Sequence, residues 1–149
     1  LIKFIRFNPW PPKFSKLIFM FQKEVGEKII ASMGNTNYSR LSIITKSRFK
    51  ISNFFYVSKN CFFPKPKVDS IVIEFQPIKR KDINFKSIKS LKYITNIFFS
   101  NKRKMINKNL KKILNDEEIG NIKDIRMNMR PSEIKPEIYY RITEIFEKK

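Results

Sequence analysis

The chain has no histidine, one cysteine and three glycines in 149 residues. Without histidine, Ser-His-Asp and Cys-His nucleophile systems are excluded, and so are His-ligated metal sites. Cys61 alone permits neither an internal disulfide nor a four-thiolate zinc site. Gly26, Gly34 and Gly120 are too far apart to form a G-x-G-x-x-G or P-loop cradle for a nucleotide or its phosphates. No apolar run approaches the ~20 residues of a membrane span, and no signal-peptide pattern opens the chain. The expected setting is therefore a reducing, cytoplasmic compartment, with no metal and no membrane.

Acidic residues are scarce as well. Lys and Arg number 32 against 13 Asp and Glu, for a formal charge of +19. An excess of that size favours a polyanionic partner, either nucleic acid or an anionic membrane surface. It is also uneven: between Lys79 and Lys112 twelve basic residues face one acid, Asp82. A solvated helix face usually mixes signs, so this stretch reads as a phosphate-binding surface. Lysine-rich coding bias, visible as 24 Lys to 8 Arg, exchanges one base for another and does not create the imbalance. With 42% hydrophobic residues and 15 Phe, the chain has ample material for a core.

Leu1, Ile2, Phe4 and Ile5 form a helical apolar face with no capping residue before them, so the chain reads as beginning inside a helix and as part of a longer protein. Prolines 9, 11 and 12 end that helix. The run Leu17–Phe21 is short and apolar on both faces, as in a strand buried in a parallel sheet. Gln22–Ala31 is an amphipathic helix with Val25, Ile29 and Ile30 inward, and Tyr38–Arg48 is another, with Leu41, Ile44 and Thr45 inward. Phe49–Val57 and Val68–Phe75 alternate as strands, the second with Ile71, Ile73 and Phe75 on one face. After Pro77 the spacing is helical throughout, over 88–98, over 105–114, briefly around Ile119, and from Pro136 to Phe146 with Ile138, Ile142, Ile145 and Phe146 inward. A domain boundary is expected at Ile78–Asn84, giving segments 1–77 and 78–149.

Two stretches carry candidate chemistry. In Asn60–Ser70, prolines 64 and 66 stiffen a loop that holds Phe62 and Phe63 beside Lys65 and Lys67. A fixed ring next to lysines is a stacking platform for a nucleobase; equally, the two rings could plug the end of the sheet. In the basic stretch, Lys102, Arg103, Lys104, Lys108, Lys111 and Lys112 are expected on one helix as phosphate contacts.

The loop resembles the F-x-P-x-P-K-V-D-S signature of the ribosomal RNA adenine dimethyltransferases, the KsgA family, through Phe62, Pro64, Pro66, Lys67, Val68, Asp69 and Ser70. Four further stretches are similar to the same family in the same order: Phe21–Val25 to L-Q-K-E-V, Tyr38–Ser42 to Y-G-R-L-S, Phe99–Lys104 with Asn109–Leu110 to F-x-x-R-R-K and its following N-x-L, and Arg130–Ile134 to R-x-E-x-L. Ser39 replaces the usual glycine, Lys65 a frequent third proline, and Lys102 the first arginine of the pair.

The resemblance implies an α/β plus all-α fold: the trailing part of a Rossmann-like SAM-dependent methyltransferase sheet followed by a small C-terminal helical domain. It implies methyl transfer from S-adenosylmethionine to N6 of two adjacent adenosines near the 3′ end of small-subunit rRNA, on the immature subunit, by a monomeric enzyme. The cofactor-binding motifs of the family are absent, so the chain is expected to be inactive alone and to bind no S-adenosylmethionine. Phe62 takes the place of the family aromatic that stacks on the target adenine, and Arg40 that of a residue supporting structure or touching rRNA. The competing readings are an Erm-type methyltransferase of large-subunit rRNA, which shares the F-x-P-x-P-K-V segment, and a non-catalytic RNA-binding module for ribosome assembly. Asp69 is expected to hold the loop through backbone amides, Glu24 to form a surface ion pair, and Cys61 to pack.

Overall fold

A computed structural model describes residues 1–81 and 83–149; Asp82, the lone acid of the basic stretch and part of the expected boundary, lies outside the described residues. The chain opens with a one-turn helix α1 (Ile2–Ile5), which buries Ile5. The proline-rich segment after it is pinned by Trp10, whose indole N–H donates to the Ile78 carbonyl at 2.9 Å and whose ring meets Phe49 edge-on.

Strand β1 (Leu17–Gln22) leads directly into α2 (Lys23–Ile30), followed by α3 (Arg40–Lys46), β2 (Phe49–Val57) and β3 (Ser70–Pro77). The sheet has the order β1-β3-β2 and both pairings are antiparallel. This corrects the parallel, doubly buried reading of β1. Its side chains alternate, with Ile18 and Met20 at 63% and 55% exposure on one face while Phe19 and Phe21 turn to the core. An apolar run on an edge strand mimics a fully buried one in sequence; only its neighbours distinguish them. In β3 the alternation holds as read, with Ile71, Ile73 and Phe75 fully buried. In β2 a bulge between Ile51 and Asn53 shifts the register, and Phe54, Phe55 and Tyr56 beyond it are exposed.

Helix α2 lies against β3 and approaches very closely. A Cβ on Gly26 would sit 1.9 Å from Ile71 Cγ2, so glycine is required there by space. Gly26 and Ile29 are the buried residues of α2, whereas Val25 is exposed, contrary to expectation. Helix α3 packs against α2 and β2 on one side and against helices α4 (Ile88–Phe99) and α7 (Pro136–Phe146) on the other. It is therefore buried nearly all round: Ser42, Ile43, Ile44 and Thr45 are inside. A sequence pattern of one apolar face reports half of such a helix.

Between α4 and α7 run two short helices, α5 (Asn107–Lys111) and α6 (Asp116–Gly120), which bury Ile106, Leu110, Ile113, Leu114, Ile119 and Ile122. Met105, the first residue of the 105–114 helical spacing, is exposed. In α7, Tyr139 and Tyr140 are buried beside Ile138 and Ile142, while Ile145 and Phe146 are half-buried. Three tyrosine hydroxyls stitch the layers by donating to backbone carbonyls: Tyr38 to Ile134 at 3.0 Å, Tyr139 to Pro131 at 2.8 Å, and Tyr140 to Ile43 at 3.1 Å.

Candidate nucleic-acid interface

The loop between β2 and β3 is organised by hydrogen bonds before any ligand is considered. The Lys59 N–H donates to Asp69 Oδ1 and the Lys23 N–H to the Asp69 carbonyl, both at 2.9 Å, while Ser58 Oγ accepts from the Asn60 N–H. Asp69 thus holds the loop to the start of β3 through backbone amides, as read from sequence. A 3₁₀ turn at Lys59–Cys61 follows, and then the aromatic pair. Phe62 is half-buried, Phe63 is fully exposed, and Lys65 and Lys67 stand in solvent on either side of Pro66. Cys61 is exposed and does not pack, which corrects that assignment.

The loop lies at the end of the sheet where β1 finishes, since Gln22, Ser70 and Val57 are in register. A shallow cleft of about 340 Å³ opens there, lined among others by Lys23, Glu24, Glu27, Lys59 and Lys67. Glu24 pairs with Lys28 one turn along α2 at 2.6 Å, and that hydrogen bond holds its carboxyl below the usual range.

The second group of candidates does not share one helix. Lys102, Arg103 and Lys104 lie in the turn after α4, Lys108 and Lys111 in α5, and Lys112 caps α5 at its C-terminus. Residues 101–106 form no helix, and α5 begins at Asn107 with no side-chain cap from Ile106, so the lysines are gathered by a turn. Arg103, Lys104, Lys108 and Lys112 converge with Asn101, Asn109 and Arg130 on a cleft of about 580 Å³ whose lining contains no carboxylate.

Arg130 is the functional candidate missed at the level of sequence. It belongs to the Arg130–Ile134 motif, which with Met129 before it serves as a buckle: the Ser132 carbonyl accepts from the Gly34 N–H, the Met129 carbonyl from the Ile106 N–H, and the Glu133 side chain, through Oε2, from the Arg130 N–H. Three of the expected RNA contacts are engaged within the fold. Lys102 Nζ donates to the Thr36 carbonyl at 2.5 Å, and Lys111 reaches Asp116 at 3.4 Å. Arg40 is a clasp between α3 and α4, donating to Asn96 Oδ1 at 2.7 Å and to the Lys92 carbonyl at 3.4 Å. Its motif neighbour Ser39 takes the extended N-cap conformation, with its N–H donating to the Ser42 hydroxyl at 3.1 Å, so a side chain is accommodated where the resemblance has glycine.

These residues bring cations and two aromatic rings toward the surface; among them is no glycine-rich turn of the kind that cradles S-adenosylmethionine. Gly26 is packed inside α2, and of the three glycines Gly34 has a positive φ, 85°, on a surface turn.

A sequence profile described as "Ribosomal RNA adenine dimethylase" matches residues 4–148. The chain belongs to this family. Among curated relatives of the family, "Ribosomal RNA small subunit methyltransferase A" of Pelagibacter ubique is 36% identical over 135 residues, covering 90% of this chain and 51% of that protein. The protein of the same name from Thermotoga maritima is 35% identical over 136 residues, covering 91% and 44%. The chain spans about half the length of the curated relatives it matches. Its fold is similar to that of a dimethyladenosine transferase from Plasmodium falciparum, with a TM-score of 0.76 at 23% identity over 99% of this chain and 61% of the other. A 23S rRNA methyltransferase, ErmE, has a TM-score of 0.62 at 19% identity, covering 93% and 57%. The dimethylase-family fold is thus present here as part of a domain, a three-stranded sheet with its helices.

Proposed function

We propose that this chain is the substrate-binding portion of an rRNA adenine-N6,N6-dimethyltransferase that uses S-adenosylmethionine and acts in the cytoplasm on two adjacent adenosines of immature small-subunit rRNA. Residues 1–77 are its share of the methyltransferase domain, and residues 78–149 are the helical RNA-binding domain. The relatives named for the small ribosomal subunit, at 36% and 35% identity, favour this substrate over the large-subunit rRNA of an Erm-type enzyme. Likeness to ErmE at 19% identity speaks to fold alone.

The observation that carries the reading is the acid-free cleft of Arg103, Lys104, Lys108, Lys112 and Arg130 in a molecule that also displays a proline-braced aromatic pair. The two features are linked through the turn between α2 and α3: Lys102 donates to the Thr36 carbonyl, and Asn37 donates to Glu27 of the cleft beside the loop.

In this arrangement the cationic cleft neutralises backbone phosphates and sets the orientation of the RNA without reading its sequence. Arg103 and Arg130 offer planar forks for bidentate phosphate contacts, and the lysines act as point charges. An adenine drawn from its stack is received by Phe62, whose ring is half-buried and braced between the 3₁₀ turn and Pro64. Stacking of that kind contributes ~1–3 kcal/mol per base, enough to orient the exocyclic amine for transfer. Lys65 and Lys67 then hold the flanking phosphates.

The test is a chimera in which this chain replaces the matching half of the Pelagibacter ubique relative, assayed by primer-extension arrest at two adjacent dimethylated adenosines. Arrest is expected, and Phe62→Ala is expected to reduce it about 5- to 150-fold, the equivalent of ~1–3 kcal/mol of stacking, with RNA affinity nearly unchanged because the cost of extruding the base offsets that stacking in the free energy of binding and the phosphate contacts are retained. Full arrest in the Phe62→Ala chimera would remove the stacking assignment. A folded chimera that binds RNA and never methylates would favour the RNA-binding module.

A further inference from the structure

Six carboxylates of the described residues pair with cations: Glu24 with Lys28, Glu74 with Lys16, Glu137 with Arg80, Glu144 with Arg141 and Lys148, Glu118 with Lys149, Asp116 with Lys111. Many bases take no part in these pairs, and four of them gather at one place. Arg6, Arg48, Lys86 and Lys89 line a cleft of about 240 Å³ between the end of α1 and the N-terminus of α4, together with Phe7, Asn8, Ser87 and Ile88. Among the described residues Glu147 touches this group through the backbone, its two oxygens accepting from the N–H groups of Lys86 and Ser87.

The cluster extends along α4. Lys92, one turn beyond Lys89, is repelled by both Arg6 and Arg40; partial burial and these two guanidinium groups lower its pKa. Arg48 is fixed in place: Nη1 donates to the Phe7 carbonyl at 3.1 Å, and the guanidinium lies 4.6 Å from the Trp10 ring centre. Trp10 and the Phe7 carbonyl orient Arg48 but supply no negative charge. A cleft holding four bases with no carboxylate in its lining is an electrostatic cost in the free protein, and a bound anion removes it.

We infer that this cleft is a second seat for RNA backbone phosphate, separate from the cleft after α4. The proposal rests on the reading that the chain binds rRNA, and it adds a site at the opposite end of the same helix. Helix α4 has 12 residues, so the two cationic clefts are about 18 Å apart. Lys89 and Lys92 with Arg40 lie between them, making the flank of α4 a track for successive phosphates. The small volume suits a phosphate group and is too tight to engulf a nucleotide. Arg48 serves as the preorganised anchor, and Arg6 and Lys89, both exposed, close on the phosphate.

The test uses the 149-residue chain and a synthetic hairpin of the small-subunit rRNA 3′ end, with affinity measured across a series of KCl concentrations. Each phosphate contact contributes about 0.7–0.9 to the slope of log affinity against log salt. Arg6→Gln with Lys89→Gln is expected to lower the slope by about 1.5, and Lys104→Gln with Lys108→Gln to lower it by a similar, additive amount. Lys123→Gln with Lys135→Gln, on a different cleft, controls for bulk charge and is expected to leave the slope unchanged. Circular dichroism and thermal midpoint establish that each variant is folded. A slope unaltered by the Arg6 and Lys89 pair but lowered by the Lys104 and Lys108 pair overturns this second seat and keeps the reading it rests on. A slope altered by neither overturns that reading, and an equal fall in the Lys123 and Lys135 control reduces the effect to net charge and overturns the seat.

Discussion

Gly26 shows how one missing side chain sets the spacing of two layers. Its Cα hydrogens let α2 approach β3 until the space for a Cβ is taken by Ile71. Gly26→Ala forces the helix or Ile71 to move, and overpacking of this kind costs about 1–3 kcal/mol; urea denaturation should read that loss as a lower midpoint at unchanged slope. Sequence alone marked Val25 for the core because it is apolar, whereas the position facing the sheet is the one with no side chain. Phe62 and Phe63 make the same point at the loop. Both are aromatic and adjacent, so composition cannot rank them, and the backbone exposes one ring fully while half-burying the other.

At the scale of elements, α4 is held by residues far from it in sequence. Its N-terminus is capped twice: Ser87 Oγ accepts from the Lys89 N–H at 3.1 Å, and Glu147 takes the N–H groups of Lys86 and Ser87. A carboxylate there satisfies orphan donors and sits favourably at the positive end of the helix dipole. Glu147→Ala should therefore lower stability by about 1–2 kcal/mol, read as a thermal shift, with amide exchange rising first at Lys86 and Ser87. The strand and helix assignments for β3, α2, α4 and α7 were legible because their periodicities are long or strict. The basic turn after α4 was read as helix because lysine is a good helix former and nothing in the local sequence reports that Asn101–Lys104 must turn to let Ile106 reach the Met129 carbonyl.

The whole molecule combines a strong positive charge with a core closed by buried hydroxyls, and its response to pH follows from the latter. Burial raises the Tyr38 and Tyr139 hydroxyls far above the ordinary 10.0, and the unfolded chain ionises at that ordinary value. Stability from these groups is complete below pH 10 and is lost as pH rises beyond it toward their folded values. Tyrosinate absorbance should appear together with loss of helical circular dichroism, and Tyr38→Phe should make the alkaline decline less steep. One sheet face, with Ile18, Met20 and Phe55, stays open in this chain, as fits a part of a larger domain. What the sequence determined by itself is what depends on residue type and order: the exclusion of histidine-dependent nucleophiles and of an internal disulfide, the polyanion preference, the alternation of β3, and five ordered motifs that mark the family. The tertiary structure alone decided the antiparallel placement of β1 at an edge, the burial of α3 on all sides, and the assembly of Arg6, Arg48 and Lys89 into one cleft. Those depend on which distant segments meet, and strand pairing and charge clustering are properties of the meeting and are not encoded in any single stretch.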